Sequence, residues 1–269
     1  MNFTLEPPID FLVIADSRDQ FAAAITKEAS YRGYVAQHLD FMSAGRIFSI
    51  EMTGATYIVH PGYPVLLRPP IALPLGSDSD TLFHFSECVA AIWSAVALSH
   101  SKVISRPGRY GLAGRCSFSS ALTEMRAGCF QNRPEVFASS PAMLSGLDSE
   151  WAVQNQTSFI IKTLGELEPN TPGPLRSRPV DLDEGYELVV VLEQQAWRIS
   201  IVGLEHLKLE SRSIELVAHL DLNFAVVVWA VNKTLSSARI ARVEPWPSLN
   251  LIFPVASEVL LAVIKVLCS

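Results

Sequence analysis

The N-terminal segment constrains the fold most, because it predicts a strand, a helix and a second strand in immediate succession. Phe11–Ala15 is a short apolar run, and Asp16–Asp19 supplies side chains that can cap a helix extending to about Tyr31. A second strand is predicted near Tyr34–Leu39. Strands joined through a helix in this way are parallel, and parallel sheets are covered by helices on their faces. The chain is therefore expected to begin as an α/β layer.

The composition indicates a globular protein and argues against two classes of partner. Hydrophobic residues make up 49% of the 269 residues, which is enough for a sizeable core. Charged residues make up only 18%, and the net charge is -6. The chain therefore lacks the positive field that draws proteins to nucleic acids or to anionic lipids, and we expect neither as a partner.

The lengths of the apolar runs and the spacing of the cysteines indicate the cellular compartment in which the protein is expected. The longest apolar runs are shorter than the ~20 residues that span a bilayer, and we predict that they are buried strands and one packed helix: Leu188–Leu192, Phe224–Val231 and Val259–Leu267. The four cysteines have no CxxC spacing, and no basic-then-apolar leader is present. We therefore expect a cytoplasmic protein without a membrane span.

Changes in pattern along the chain predict three parts. Thr81–His100 has the spacing of an amphipathic helix and leads into a short strand, Val103–Ser105, before the turn-rich, arginine-containing loop Arg106–Arg115. Beyond Trp151 the pattern is mostly that of strands. We predict an N-terminal βα domain over residues 1–106, a small linking lobe over 107–151, and an α+β lobe over 152–269.

The second half of the chain predicts several further elements. A hairpin is predicted from Leu188–Leu192 and Trp197–Val202. The remaining predictions are strands at Ser158–Lys162, Phe224–Val231 and Arg239–Val243, and helices at Ser211–His219 and Ala256–Leu267.

Several local motifs occur in an order that resembles one known superfamily. Leu67–Pro70 is similar to an "RRP"-like segment, Phe159–Lys162 to an "hhhK" strand, Leu188–Gly203 to "QEYI...ELRhxhVG", and Arg242–Leu249 to "LEVNPxPSL". Together these motifs resemble the ATP-grasp superfamily, in particular its ribosomal-protein-modifying glutamate ligases and microviridin-type peptide maturases. The resemblance implies an ATP-grasp-like α/β fold in which the N-terminal βα layer precedes two α+β lobes.

The resemblance also implies a site for ATP and magnesium. Lys162 would hold the nucleotide phosphates, because a lysine at a strand end supplies a flexible point charge to an anion. The backbone of the hinge segment, with Glu187, Val189 and Val191, would bind the adenine. Arg198 would be the catalytic residue that steadies the developing charge, and Glu244 would take the place of a magnesium-ligating glutamate.

Each of these residues also has a structural interpretation. Lys162 can be a solvated strand end, and Glu244 can cap the turn before Pro245. Arg198 can pair with a cross-strand acid such as Glu193 or Glu187. Both interpretations stay open from the sequence.

The sequence departs from the family pattern at charged positions. No lysine occurs near residues 116–118, where the family's first nucleotide-binding lysine is expected, and Val228 stands where an acidic metal ligand is expected. The hinge glutamine and glutamate are replaced by Leu188 and Val189, and Trp246 stands where an asparagine is expected beyond the metal glutamate.

Two functions are therefore expected from the sequence. The first is an ATP-dependent carboxylate–amine ligase of a biosynthetic pathway, acting on a small molecule or a peptide. The second is a catalytically inactive binding or regulatory subunit of a partner enzyme. A homodimer is compatible with either function.

Overall fold

The computed structural model describes residues 8–70, 78–108, 136–155, 161–179, 184–199, 208–232 and 237–269. Three parts of the sequence predictions lie outside the described residues: residues 109–115 of the arginine-containing loop, the lysine-free stretch at 116–118, and residues 200–202 of the predicted hairpin. The predicted strand Ser158–Lys162 is described only from Ile161 onward.

The first sheet confirms the α/β layer expected at the N-terminus. Its strands are β1 (Phe11–Ile14), β2 (Ala36–Leu39), β5 (Val65–Leu67) and β6 (Val103–Ile104), and the hairpin β3 (Ser49–Thr53) and β4 (Thr56–His60) lies between β2 and β5 in sequence. The strand order is β2–β1–β5–β6, and every pairing in it is parallel.

Three helices accompany this sheet: α1 (Gln20–Tyr31), α2 (Phe41–Gly45) and α3 (Ser79–Leu98). Asp19 caps α1 as the sequence predicted, since its carboxylate accepts hydrogen bonds from the backbone N–H groups of Phe21 and Ala22 at 2.8 and 3.1 Å. Asp40 and Asp78 cap α2 and α3 in the same way.

Helix α3 is long and apolar enough, by length and composition, to cross a membrane. The same test is passed by core helices of globular proteins, and α3 packs Phe85, Ile92 and Val96 into a core shared with the first sheet. The expectation of a chain without a membrane partner stays a prediction.

The second sheet is small and antiparallel. Its strands are β7 (Val136–Ala138), β8 (Ala152–Asn155), β9 (Ile161–Thr163) and β10 (Leu175–Arg178), in the order β7–β10–β8–β9. Short 3₁₀ turns occur at Pro141–Leu144 and Leu164–Glu166. This sheet contains strands from both sides of residue 151, and the three sequence ranges stay a prediction of the domain limits.

The third sheet is antiparallel and contains the predicted hairpin. Its strands are β11 (Glu184–Leu192), β12 (Gln195–Ile199), β13 (Phe224–Asn232) and β14 (Ser237–Glu244), in the order β12–β11–β13–β14. Helix α4 (Leu209–His219) packs on one face. Helix α5 (Ala256–Leu267), which follows a 3₁₀ turn at Phe253–Val255, packs on the other face with α1.

One continuous core joins the first sheet to the third. The rings of Phe21 from α1 and Phe224 from β13 lie 5.6 Å apart. Asn223 adds a polar connection, because its side-chain amide donates to the Val103 carbonyl at 2.7 Å and accepts from the Ser105 N–H at 3.0 Å. Lys102 pairs with Glu193 at 2.6 Å across the same junction. The N-terminal layer and the third sheet are therefore fixed to each other.

We predict that Asn223→Ala lowers the free energy of unfolding by about 1–3 kcal/mol, since it leaves two backbone groups of the junction without their partners. Chemical denaturation measures this change. Asn250→Ala is the matched control, because Asn250 is exposed. Equal stability of the two variants would show that the Asn223 connection does not hold the junction.

Candidate functional site

Charged side chains collect at the carboxyl ends of the parallel strands in the first sheet. Asp16 and Asp19 follow β1, Asp40 follows β2, and Arg68 follows β5. Open α/β sheets bind ligands at this edge. A cavity of about 220 Å³ lies here, and it is lined by Asp16, Ser17, Arg18, Asp40, Phe41, Met42, Pro70 and Phe85.

Arg68 connects this edge to the C-terminal lobe. Its side chain is buried, its Nε donates to Asp19 Oδ2 at 2.8 Å, and its Nη1 donates to the Pro247 carbonyl at 3.0 Å. Its guanidinium also lies 4.8 Å from the ring centre of Phe21. We call Arg68, Asp19 and Pro247 the Arg68 anchor. The sequence motif at Leu67–Pro70 located this arginine but not its partners.

Glu244 lies at the end of β14 among positive charges. Its Oε2 is 3.4 Å from Arg242 Nε, and the two side chains are 35% and 40% exposed. Burial raises the pKa of the Glu244 carboxyl above its ordinary value, while Arg242 and then Arg68 act in the opposite direction. The carboxylate therefore lies within the influence of two guanidinium groups.

The strand register brings Arg242 and Glu244 to one face of the third sheet. Arg242 is opposite Val228 on β13, and Glu244 is opposite Val226. Directly opposed residues share a face of an antiparallel pair, and Val226 and Val228 belong to the core that contains α1 and α5. The structure thus places Val228, the position where an acid was expected, beside an arginine.

Among the described residues, the donor set around Glu244 offers a magnesium ion a single carboxylate. Magnesium prefers oxygen ligands in octahedral geometry, usually one or two carboxylates with phosphates and waters. Here a single carboxylate adjoins Arg242, and the residue opposite Arg242 is Val228. Within the described ranges, no group of three His, Cys, Asp or Glu side chains could hold a metal ion. Magnesium binding by Glu244 stays a prediction that this geometry does not favour.

Arg198 has a buried structural partner. Its Nε donates to Glu187 Oε2 at 2.8 Å, and the two side chains are 7% and 0% exposed. Glu210 of α4 lies 3.9 Å from Arg198 Nη1. This is the cross-strand pairing that the sequence left open as an alternative. The catalytic role of Arg198 stays a prediction.

Arg198 and Glu244 lie on opposite faces of the third sheet. Arg198 is opposite Val189, which packs in the core beneath α4. Glu244 is opposite Val226, which packs in the core on the other side. The structure does not bring the predicted catalytic residue to the predicted metal ligand.

The predicted adenine-binding residues lie inside the sheet. Val189 and Val191 are fully buried in β11, which pairs with β12 on one side and β13 on the other. Their backbone groups are therefore used in the sheet ladders, and Glu187 is committed to Arg198. Nucleotide binding by Glu187, Val189 and Val191 stays a prediction without a free backbone group to support it.

Lys162 is exposed to solvent, unlike the buried or partly buried residues predicted to form the rest of the site. It lies on β9, the edge strand of the second sheet, and its side chain is exposed. An exposed ammonium at a sheet edge is available to an anion. Its role with nucleotide phosphates stays a prediction.

Arg178 is a buried-ended arginine of the second sheet that the sequence analysis did not select. It ends β10, its Nη2 donates to the Tyr186 hydroxyl at 3.2 Å, and its Nη1 is buried without a hydrogen-bond partner among the described residues. The available signal was an arginine directly before Pro179, a position that favours extended backbone.

We predict that Arg198→Gln lowers the free energy of unfolding by about 3–5 kcal/mol, because it leaves the Glu187 charge buried without its counter-ion. Denaturant titration measures the loss. The exposed Arg46→Gln is the matched control. A change below about 1 kcal/mol would show that the pair is not structural.

Comparison with known proteins supports the architecture. No protein-family model matches the sequence, and no curated protein matches it. Solved structures do match over nearly the whole chain. The ATP-grasp ligase PsnB complexed with precursor peptide PsnA2 and AMPPNP aligns with a TM-score of 0.70 and 13% identity, over 98% of this chain and 100% of PsnB.

Two further structures agree with this match. The macrocyclase MdnC bound with precursor peptide MdnA from Microcystis aeruginosa MRC aligns with a TM-score of 0.70 and 14% identity, over 96% of this chain and 98% of MdnC. A RimK domain protein ATP-grasp from Sphaerobacter thermophilus DSM 20745 aligns with a TM-score of 0.62 and 10% identity, over 96% and 99% of the two chains. The chain therefore has an α/β ATP-grasp-like fold.

Proposed function

We propose that this chain acts in peptide maturation as an ATP-grasp-like protein that binds a peptide and assists a partner ligase without catalysing ligation itself. The observation that supports it most is the pairing of Arg242 with Val228 on the sheet face where the family resemblance places the metal ligands.

The chemistry of ligation explains why this pairing matters. Phosphoryl transfer depends on positioning and on neutralising the charge of the phosphates, which bridging metal ions usually provide. Glu244 is a single carboxylate beside a guanidinium, and a guanidinium repels a divalent cation. A catalytic pair of magnesium ions therefore has little to bind at this face.

The peptide part of the proposal comes from the structural neighbours. PsnB and MdnC were solved with their precursor peptides, and a RiPP-associated ATP-grasp ligase from Chryseobacterium gregarium was solved with ADP and a leader and core peptide. Each of these proteins aligns over at least 96% of this chain. This chain keeps the fold of these peptide-binding ligases, but it has Arg242 and Val228 on the sheet face where metal ligands are expected. We therefore propose that it keeps peptide binding without metal-dependent catalysis.

An active ligase is the second candidate, and retained residues favour it. Lys162 is exposed at a strand end, and Glu244 keeps one carboxylate at the same sheet face. In this function a substrate carboxylate would be phosphorylated and an amine would attack the acylphosphate. One magnesium ion at Glu244 would then rely on phosphates and waters for its other ligands.

A turnover assay separates the two candidates. The purified chain is incubated with ATP, magnesium and a library of peptides that contain glutamate and lysine. ADP release and the loss of one water from the peptides are measured, together with binding to the same peptides on an array. We predict peptide binding without ADP release or loss of water.

Magnesium-dependent ADP release with loss of water would establish the ligase and exclude the accessory function. Absence of binding to every peptide would remove the peptide part of the proposal. The chain heated past its unfolding transition is the control for non-specific binding.

A further inference from the structure

We infer that the solvent-facing side of α3 is the interface of a homodimer, in which two copies of this chain pack their α3 helices against each other in antiparallel orientation. The inference goes beyond the proposed function, since it uses neither peptide binding nor ligation. The α3 face is the stripe of residues that α3 turns away from its own core: Phe83, Ser86, Ala90, Trp93, Ser94 and Ala97.

Helix α3 is apolar on two sides, and one of them faces solvent. The inner side packs Phe85, Ile92 and Val96 into the core of the N-terminal layer. On the outer side Phe83 is 68% exposed and Trp93 is 37% exposed. A helix that is hydrophobic all round is normally buried all round, and a contiguous exposed apolar surface marks an interaction site. We therefore expect another molecule to cover the α3 face.

The two serines of the α3 face do not oppose its burial. Ser86 Oγ donates to the Leu82 carbonyl at 2.9 Å, and Ser94 Oγ donates to the Ala90 carbonyl at 3.0 Å. A hydroxyl that is satisfied by its own helix can be buried without losing a hydrogen bond. The face thus behaves as an apolar surface, with small side chains between two aromatic ones.

The charges of α3 favour a protein partner over a lipid surface. Helices that lie on membranes carry Lys and Arg on their polar face, whereas α3 has no Lys or Arg and its acidic residues are Asp80 and Glu87. The whole chain has a net charge of -6. Anionic lipids attract basic segments and repel acidic ones. A membrane surface is therefore a poor match for this helix.

The order of side-chain sizes along the α3 face suits a second copy of the chain. A two-fold axis makes residue i contact residue j while residue j contacts residue i. With the axis midway between residues 86 and 90, Phe83 of one copy meets Trp93 of the other, and Ser86 meets Ala90. The small central residues allow the helices to approach closely, and the aromatic rings cover each end. Glu87 lies to one side of the stripe, so the axis sends its symmetry mate to the opposite edge.

The size of α3 gives enough area for a weak, specific dimer. The helix has 20 residues. It is therefore about 30 Å long and about 10 Å wide, and its outer half presents roughly 500 Å². Two such faces bury roughly 1,000 Å², which is the least expected of a specific interface. The hairpin β3–β4 enlarges the surface, since Tyr57 stacks on His100 beyond the end of α3 and the exposed Met52 is opposite Tyr57.

Sedimentation velocity of the full chain over a range of micromolar concentrations measures the dimer. We predict that the sedimenting mass rises with concentration to twice that of one chain. Ala90→Arg should raise the dissociation constant at least about tenfold, because it brings two like charges together at the centre of the interface. Ala23→Arg makes the same change at an exposed position of α1 and should dimerise as the wild type does.

A wild-type chain that stays monomeric, or equal dimerisation of Ala90→Arg and Ala23→Arg, would overturn the inference. Thermal melts confirm that each variant is folded. Flotation with vesicles of phosphatidylcholine and phosphatidylglycerol tests the lipid alternative. Binding of the monomer to vesicles that is lost in Ala90→Arg would assign the α3 face to a membrane and also overturn the inference.

Disulfide cross-linking tests the antiparallel pairing. An equimolar mixture of Ser86→Cys and Ala90→Cys chains should form more cross-linked dimer under mild oxidation than either chain alone. Each single variant controls for the exposed native Cys268. No excess in the mixture would contradict the pairing of residue 86 with residue 90. Peptide binding and ADP release play no part in these measurements, so the inference and the proposed function can fail separately.

Discussion

The buried pairing of Arg68 with Asp19 connects the N-terminal sheet to the segment that follows Glu244. Asp19 caps α1 while it neutralises Arg68, and Arg68 reaches from the end of β5 to the Pro247 carbonyl beyond β14. A buried ion pair that loses one partner leaves an uncompensated charge, which costs about 3–5 kcal/mol. The Arg68 anchor therefore fixes the segment after Glu244 against the N-terminal layer and keeps a positive charge near that carboxylate.

The two faces of the third sheet differ in how their charged side chains are paired. Beneath α4, Arg198 and Glu187 neutralise each other inside a core, and the Trp229 indole donates to Ser213 Oγ at 2.8 Å. The opposite face carries one guanidinium and one carboxylate, since Arg242 is paired with Val228 and Glu244 with Val226 of the core. The charge of this face thus differs from that of a metal site.

Local patterns predicted most elements of the fold. The βαβ start, the cap at Asp19 and the hairpin of β11 with β12 follow from periodicity and from short-range hydrogen bonding. Even the pairing of Arg198 with Glu187 was one of the two readings of the sequence, because neighbouring strands of a hairpin place such residues side by side.

The candidate site could be predicted only in part, since it depends on pairings between distant segments. Arg68 contacts Asp19 across 49 positions of sequence and Pro247 across 179. The face on which Arg242 lies is set by its pairing with Val228, and a bulge after Val228 shifts that register. A one-residue shift moves a side chain to the other face of a sheet, so no local pattern could place it.

The central claim is tested most directly by a crystal structure of the protein crystallised with ADP and manganese. Manganese is an anomalous scatterer that takes the same oxygen ligands as magnesium. The account predicts no anomalous peak at the Glu244 carboxylate. A manganese peak bound to the Glu244 carboxylate would contradict it.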